Sequence, residues 1–161
     1  MRLVLRSPVP SDYESIASWI PDAAACARWA GLRVPFPFVA TELATLLAVT
    51  GGESCCFAED DGLLVGFGQH WVVRDGVVHL GRIIVSPAQR GRGKGRELCE
   101  RLVARAVQAT GAGAVTLRVY RDNEIALGLY LRLGFRPIVT ESDEEVLLMM
   151  RVFDDSGIGA S

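Results

Sequence analysis

The chain has 161 residues, of which 50% are hydrophobic and 22% are charged. This length predicts a single domain that buries its own core, and the composition excludes disordered and fibrous proteins. The 17 lysines and arginines and the 19 aspartates and glutamates give a net charge of −2. That balance argues against bulk electrostatic binding of nucleic acid or of an anionic membrane, and it leaves a local basic patch open.

The first forty residues are predicted to contain one strand and one regular helix. Leu3 to Leu5 form the strand. Ser11 and Asp12 offer N-caps for a helix that runs to about Ile20. Residues 21–40 carry aromatic side chains among glycine and proline, which indicates a loop or a broken helix.

A second helix, from Thr41 to about Val49, precedes a region that is predicted to be strand. Three strands cover residues 54–58, 63–73 and 77–85. The Asp-Gly pairs between them, at 61–62 and 75–76, are typical of tight hairpin turns. The three strands are therefore expected to pair antiparallel in succession.

The second half of the chain alternates between helix and strand. Apolar residues recur at helical spacing from Leu98 to Val107, and Gly111 ends that helix. The remaining predicted elements are a strand at 114–120, a helix at 123–133 and a final strand pair at 138–140 and 146–153. Because a helix separates the strands at 77–85 and 114–120, these two run parallel with a right-handed crossover. The residues thus predict an α/β protein whose mixed sheet has helices on both faces.

One domain is predicted to span residues 1–153, with residues 154–161 as a flexible C-terminal tail. The four cysteines form no Cys-x-x-Cys pair. That pattern argues against a zinc site or a disulfide framework and indicates buried thiols in a reducing cytoplasm. The sequence shows neither a signal peptide nor a membrane span, so we expect no membrane association.

A glycine- and arginine-rich segment lies between the strand at 77–85 and the helix that follows it. It consists of Arg90, Gly91, Arg92, Gly93, Lys94, Gly95 and Arg96. Glycines let ligand oxygens approach backbone N–H groups closely, and the N-terminus of a helix favours negative charge. Four basic side chains strengthen that preference. The segment therefore predicts a site for an anionic ligand such as a phosphate.

Other interpretations of this segment are a solvated flexible turn and an RNA-contacting Arg/Gly loop. Neither explains why the basic cluster opens a well-patterned helix. Two known phosphate loops also fit less well. The dinucleotide-binding pattern would need glycine where Arg96 stands, and the P-loop would need serine or threonine where Gly95 stands.

Two motifs resemble those of a known family. The run Arg90-Gly-Arg-Gly-Lys-Gly95 resembles the (Gln/Arg)-x-x-Gly-x-(Gly/Ala) signature of the GNAT superfamily of acyl-CoA N-acyltransferases. Residues 123–135 match its second pattern, Asn-x-x-Ala-x-x-x-Tyr-x-x-x-Gly-Phe. The close match covers about Val77 to Pro137, and the N-terminal part agrees only in element order. The resemblance implies a twisted, mostly antiparallel sheet of six to seven strands around a central parallel strand pair.

The resemblance also implies acetyl-CoA as the acyl donor, with no metal. In this family the loop amides bind the pyrophosphate of coenzyme A, which assigns that role to residues 90–96. Backbone groups at Ile83, Ile84 and Val85 would hold the pantetheine arm like an added strand. A bulge in the same strand, which Gly81-Arg82 would tolerate, usually splays it from its parallel neighbour and opens a slot.

Three positions of the second motif carry implied roles. Asn123 would contact the cofactor or order the loop, Ala126 would leave space for the acyl group or pantetheine, and Tyr130 would act as the general acid. A phenol at that position can protonate the departing coenzyme A thiolate. Each residue also has an ordinary structural interpretation: a helix N-cap, a good helix former and a packed aromatic.

His79 is the tentative general base. It stands six residues before Val85, where relatives often place a carboxylate or an imidazole, and a neutral imidazole could take the amine proton through water. The alternative is a strand histidine with ordinary hydrogen bonds. His70 and Glu124 are further candidates. Some relatives carry Glu where this chain has Arg118, a departure that argues against the subgroup that acetylates protein N-termini.

These observations predict an N-acetyltransferase that moves an acetyl group from acetyl-CoA to a primary amine of a small molecule or peptide, by direct attack in a ternary complex. The alternative is a non-catalytic coenzyme A binding or sensor module, and an RNA-contacting loop is the third hypothesis. The resemblance allows a homodimer, and the net charge of −2 leads us to expect no nucleic-acid partner. Four aromatic residues could line the acceptor pocket, namely Trp29, Phe36, Phe38 and Trp71.

Overall fold

A computed structural model describes residues 2–153, so the predicted tail at 154–161 lies outside the described residues. Seven strands form one sheet in the order β1-β2-β3-β4-β5-β7-β6. The strands are β1 Leu3–Arg6, β2 Gly52–Glu59, β3 Leu64–Arg74, β4 Val77–Val85, β5 Ala114–Tyr120, β6 Arg136–Pro137 and β7 Val146–Val152. The helices are α1 Pro10–Ser18, α2 Ala23–Ala30, α3 Ala40–Leu46, α4 Lys94–Thr110 and α5 Glu124–Arg132.

The pairing of β4 with β5 is the one parallel pair of this sheet, and every other neighbouring pair is antiparallel. This confirms the predicted mixed sheet and its central parallel pair. The parallel register runs from Val77 opposite Ala114 to Leu80 opposite Leu117. Beyond Leu80, β4 continues to Val85 with β3 on one side and, among residues 2–153, no strand on the other. The two central strands therefore separate halfway along their length.

Helices cover both faces of the sheet, as predicted. Cys55 and Cys56 are adjacent on β2, and their side chains point to opposite faces because successive strand residues alternate. Cys56 packs in the core under α1, α2 and α3. Cys55 packs in the core that includes α4 and α5. All four cysteines are free and buried.

The predicted apolar face of α4 is the face that packs on the sheet. Leu98, Leu102 and Ala106 are fully buried there. Gly68 on β3 permits this close approach, because a Cβ atom added to it would lie 2.7 Å from a methyl carbon of Leu102. The helix ends at Gly111, whose φ of +70° suits glycine and stops the helical hydrogen bonds.

The start of α1 differs from the prediction that Ser11 or Asp12 caps it. The helix begins at Pro10, and its N-cap is Val9. Proline is favoured at the first helical position because its fixed φ is helical and the missing N–H needs no partner there. Asp12 instead accepts a hydrogen bond from the Val9 backbone N–H at 2.7 Å and pairs with Arg6.

Residues 21–40 divide into a helix and a loop. The helix α2 is capped by Asp22, whose side chain accepts from the Ala25 backbone N–H at 2.8 Å. Gly31, with a φ of +76°, ends α2. The local signal for this helix is Asp22 followed by three alanines, a signal that the prediction of a loop or a broken helix did not use.

The prediction of a strand at 138–140 is wrong. The short β6 ends at Pro137, and residues Val139–Glu141 form a 3₁₀ turn. The β-branched residues of this stretch favour a strand by propensity alone, but the chain leaves the sheet edge after Ile138. Among residues 2–153, no helix has the length and apolar character that crossing a membrane requires.

Candidate active site

A β-bulge in β4 separates the two central strands. Opposite β4, Phe67 pairs with Ile84 and Gln69 pairs with Gly81, so that Arg82 and Ile83 together face a single residue of β3. Arg82 has a φ of +50°, which is uncommon for a residue with a side chain. This is the bulge that the family resemblance implied. It bends β4 at the point where β5 stops pairing with it.

Buried hydrogen bonds hold the bulge in place. The indole N–H of Trp29 on α2 donates to the carbonyl oxygen of Arg82 at 2.9 Å. Arg82 Nη1 donates to Gln69 Oε1 at 2.8 Å. Gln69 is completely buried, and its Nε2 donates to the Leu47 carbonyl and to Ser54 Oγ at 2.6 and 2.9 Å. Because each polar atom of Gln69 has a partner, the Arg82 side chain has a fixed anchor.

A cavity of about 130 Å³ fills the gap between β4 and β5. Trp29 on α2 closes it from one side of the sheet. Ala126 and Tyr130 on α5 line it from the other, together with Asn123 and Ile83. The cavity thus connects the two faces of the sheet and brings together four of the predicted cofactor-binding residues.

Within the described chain, the edge of β4 that faces this cavity has no strand partner beyond Leu80. The Ser86 N–H donates to the Val65 carbonyl on β3, and backbone groups alternate between the two edges of a strand, so the backbone groups of Ile84 also face β3. Those of Ile83 and Val85 face the free edge and are available to an extended ligand, as an added strand would use them. The Ile84 side chain is buried in the core under α1, α2 and α3, so Ile84 is the one of these three predicted residues that the fold turns away from the cavity.

The predicted phosphate loop ends in the first turn of α4. Gly91 and Gly93 have φ of +76° and +77°, a conformation that side chains disfavour. Gly93 is the N-cap of α4, and having no side chain it cannot satisfy the first N–H groups of the helix. Those groups, on Lys94 and the two residues after it, are free to bind an anion. Arg90 folds back and donates to the Val85 carbonyl at 3.1 Å.

Asn123 caps α5, because its Oδ1 accepts a hydrogen bond from the Ala126 backbone N–H at 3.2 Å. This is the ordinary structural interpretation of that residue. Asn123 also lines the cavity. The same side chain therefore fixes the start of α5, and with it the position of Tyr130 two turns along.

Tyr130 is 8% exposed and packs in the same core cluster as Cys99 on α4. Burial raises the pKa of the Tyr130 phenol, and the neighbouring Cys99 raises it further. Burial also raises the pKa of Cys99 to about 12. Both groups therefore keep their protons at neutral pH, and Tyr130 is in the form that an acid needs.

His79 lies in the paired part of β4, before the bulge. Its Nδ1 is 2.8 Å from Thr116 Oγ1, and its ring is 5.2 Å from the Trp71 ring. Burial lowers the pKa of His79 to about 4, and the nearby Arg118 guanidinium acts in the same direction. The imidazole is therefore neutral at pH 7. It does not line the cavity, which begins at the next residue, Leu80.

A second cavity of about 460 Å³ lies between β2 and α4, away from both motifs. Its arginines are ion-paired: Arg6 with Asp12, Arg101 with Glu97 and Arg105 with Glu53. Glu53, Cys55 and His70 form the one cluster of possible metal donors among residues 2–153. Arg105 occupies both Glu53 oxygens, and burial raises the pKa of the Cys55 thiol to about 11, so this donor set suits a metal ion poorly.

The structure adds site residues that the sequence analysis missed. Gln69 anchors the bulge, and Arg28 lines the cavity while pairing with Asp122 at 2.8 Å. No local signal marks either residue, because each acts through a partner that is distant in sequence. His70, a candidate base, is buried on the face covered by α4 and lies 3.1 Å from Glu53.

The comparisons with known proteins agree with this geometry. A model of the acetyltransferase (GNAT) family matches residues 21–135. An uncharacterized protein of Mycobacterium leprae is 46% identical over 56 residues, which make up 35% of this chain. The match spans only 14% of the length of that relative.

Solved structures share the fold at low sequence identity. Spermidine N-acetyltransferase from Vibrio cholerae, in complex with CoA and spermine, superposes with a TM-score of 0.78 at 18% identity, covering 93% of this chain and 95% of that one. A GCN5-related N-acetyltransferase from Kribbella flavida gives 0.72 at 21% identity, covering 93% and 97%. The ribosomal-protein-S18-alanine N-acetyltransferase of Escherichia coli gives 0.68 at 21% identity, covering 94% of each chain.

Proposed function

Because the chain belongs to the acetyltransferase (GNAT) family, we propose that it is an N-acetyltransferase that moves an acetyl group from acetyl-CoA to a primary amine of a small molecule or peptide. The reaction is a direct attack within a ternary complex. The observation that carries this proposal is the gap between β4 and β5, which Tyr130 lines. The related folds named above belong to enzymes that acetylate a polyamine or a ribosomal-protein alanine, so amine acceptors of both kinds are compatible with the architecture.

Residues 90–96 hold the pyrophosphate of the acyl donor in this proposal. The uncapped N–H groups at the start of α4 and the positive end of its dipole favour phosphate oxygens. The unpaired edge of β4 at residues 83–85 holds the pantetheine arm by backbone hydrogen bonds. Ala126, having only a methyl side chain, leaves room for the thioester beside α5, and Asn123 orders the start of that helix.

Tyr130 acts as the general acid. The amine nitrogen attacks the thioester carbonyl carbon, the C–N bond forms and the C–S bond breaks, and the Tyr130 hydroxyl gives its proton to the departing sulfur. The proton that the amine loses then restores the Tyr130 hydroxyl. Burial raises the pKa of the phenol, which keeps it protonated until the sulfur takes the proton. The same desolvation raises the basicity of a thiolate in the cavity between β4 and β5, which favours transfer of the proton to the sulfur.

His79 is our candidate for the base that removes the amine proton, through a water molecule. It is neutral at pH 7, and its partner Thr116 holds Nδ1. With a pKa of about 4 it is a weak base, so the main contribution of the enzyme is to hold a neutral amine against the thioester. The same weakness favours the second candidate function, a coenzyme A sensor without turnover.

Two measurements distinguish an enzyme from a sensor. Isothermal titration calorimetry with acetyl-CoA should show binding, and a panel of primary amines should show release of the coenzyme A thiol. Binding without thiol release from any amine would support the sensor. No binding at millimolar acetyl-CoA would remove both functions, and salt-dependent RNA affinity in that case would favour the RNA-contacting loop.

We further propose a cytoplasmic location, a catalytic domain that ends near residue 153, no nucleic-acid partner and a reaction without metal. The four buried free thiols suit a reducing compartment. Turnover that survives EDTA would support the metal-free reaction. A homodimer is compatible with the family, and light scattering would test it.

A further inference from the structure

Arg82, the residue in the β-bulge, has no carboxylate partner within the described part of the chain. None of the ion pairs among residues 2–153 includes it, and Gln69 is the one acceptor that its side chain reaches there. Its guanidinium lies 5.7 Å from the centre of the Trp71 ring. Burial lowers the pKa of Arg82, and the positive charge of Arg33 adds to this effect. A half-buried cation beside a second cation is costly unless an anion completes the site.

The position of this cation is also defined. Gln69 hydrogen-bonds to Leu47 at the end of α3, so the Arg82 guanidinium lies on the sheet face that α1, α2 and α3 cover. Tyr130 and the start of α4 belong to the opposite face. Acetyl-CoA bound along α4 therefore leaves the Arg82 side of the cavity between β4 and β5, called the slot below, to the acceptor amine.

The charges that line the slot are all positive. Arg28, Arg82 and Arg118 are its charged residues, and no carboxylate lines it within the described chain. Arg28 is neutralised by Asp122 and also lies under the influence of Glu145. Asp143 is close enough to Arg118 for that charge to lower its pKa. These three acids lie toward β5 and its neighbours, and they leave the charge of Arg82 uncompensated.

The backbone at Arg82 supports a role for its side chain. Its φ of +50° costs a non-glycine residue on the order of 1 kcal/mol, and glycine would adopt the same bulge without that cost. Strained residues of this kind cluster at ligand sites. Arg82 thus combines a strained backbone, a hydrogen bond to the buried Gln69 amide and a guanidinium that lacks a carboxylate partner within the described chain.

We propose that Arg82 binds an oxyanion on the acceptor, so that the preferred substrate is a primary amine that also carries a carboxylate or a phosphate. This inference rests on the proposed N-acetyltransferase function. The guanidinium can form paired hydrogen bonds with either oxyanion, and Gln69 holds it in the orientation required. A polyamine would instead bring positive charge next to Arg82 and Arg33 and is disfavoured.

The proposal is tested on the full chain by comparing amines with and without an anionic group. The carboxylate arm compares L-phenylalanine with L-phenylalaninamide and 2-phenylethylamine. The phosphate arm compares O-phosphoethanolamine with ethanolamine, and spermidine is the polyamine. We expect kcat/KM to be about 10- to 100-fold higher for the anionic member of at least one arm, the range for hydrogen bonds to charged groups. Equal or higher kcat/KM for the neutral amines or spermidine would overturn the proposal.

A binding measurement keeps the test independent of turnover. With saturating coenzyme A in the phosphate loop, tryptophan fluorescence should report binding of benzoate but not of benzamide, because Trp71 is next to Arg82. Equal binding of the two, or binding of neither, would count against the proposal. Acetylation of neutral amines without any anion preference would leave the proposed function standing and remove only this inference, whereas failure to bind coenzyme A would remove both.

Substitutions of Arg82 test whether this residue causes the preference for anionic amines. Arg82→Gln should lower kcat/KM for the anionic amine by about 10- to 100-fold, chiefly through KM, and abolish the benzoate preference. Arg82→Lys keeps the charge and should recover part of both. Arg74→Gln removes an exposed arginine at the far end of β3 and should retain the parental preference. An unchanged preference in Arg82→Gln would overturn the assignment.

Discussion

At the scale of the single residue, the surroundings of Tyr130 define its chemistry. Its ring packs edge-on against Phe135 with 6.1 Å between the ring centres, so packing holds the ring in place. Burial and the neighbouring Cys99 raise the pKa of the phenol, so the hydroxyl keeps its proton at neutral pH. A protonated hydroxyl that lines the cavity can give its proton to a nearby sulfur.

We predict that Tyr130→Phe lowers kcat by about 100-fold while the affinity for acetyl-CoA stays the same, because general acid catalysis contributes that order of magnitude. Steady-state kinetics and calorimetry check the two quantities. Tyr13→Phe is the matched control, since Tyr13 packs in the core under α1, α2 and α3. Equal kcat in Tyr130→Phe and the parent would exclude Tyr130 as the acid.

His79 predicts a pH dependence of stability. Its pKa is about 4 in the folded protein and near 6.5 in an unfolded chain, so the folded state favours the neutral imidazole. The resulting stability is fully present above pH 6.5 and is lost as the pH falls toward 4, by about 3 kcal/mol at most. In His79→Gln, urea unfolding at pH 7.5 and pH 4.5 should show a smaller drop than in the parent. An identical drop in both proteins would contradict the assigned pKa.

At the scale of the element, the start of α4 combines a backbone requirement with a ligand requirement. Gly93 has a positive φ, and a Cβ atom added there would meet no atom within 4 Å. Substitution therefore strains the backbone without a steric clash. The strain and any electrostatic effect on a bound phosphate can be separated by comparing two side chains at this one position.

We predict that Gly93→Glu weakens acetyl-CoA binding by at least about 10-fold more than Gly93→Ala does. Both variants carry the same backbone strain, on the order of 1 kcal/mol, and only the glutamate places a negative charge beside the phosphates. Calorimetry measures the affinities, and thermal unfolding confirms equal stability of the two variants. Equal affinities would show that the diphosphate binds elsewhere.

The β-bulge shows how elements from different parts of the chain cooperate. Trp29 on α2 donates to the Arg82 carbonyl. Gln69 on β3 accepts from the Arg82 side chain and donates to the Leu47 carbonyl at the C-terminal end of α3. These contacts join residues between 13 and 53 positions apart. The N-terminal helices thus do more than cover one face of the sheet, because they also fix the conformation of β4 at the slot.

At the scale of the whole molecule, the slot between β4 and β5 is lined by residues from both the N-terminal and the C-terminal half of the chain. The slot takes residues from α2, β4, β5 and α5, so a ligand that fills it stabilises the folded state as a unit. We predict that acetyl-CoA at about 100 times its Kd adds about 2.7 kcal/mol and raises Tm by roughly 5–11 °C. Differential scanning fluorimetry measures the shift, and Gly93→Glu should show a smaller one. No shift at saturating acetyl-CoA would contradict the site.

The sequence by itself determined the elements that depend on short-range patterns. The Asp-Gly turns between strand-like segments indicated β2, β3 and β4, and helical periodicity with Gly111 indicated α4. The two motifs also indicated the phosphate loop and Tyr130, because their residues are close together in the chain. These features follow from backbone preferences and side-chain spacing over a few residues.

Only the tertiary structure decided the bulge at Arg82, the buried bonds of Gln69 and the unpaired edge of β4. The same holds for the contact of Arg28 with Asp122, 94 positions away. Whether a cation is neutralised, and whether a strand edge is free, depends on which distant segments pack against it. Such pairings have no local sequence signal, since they arise from the balance of burial and hydrogen bonding over the whole fold.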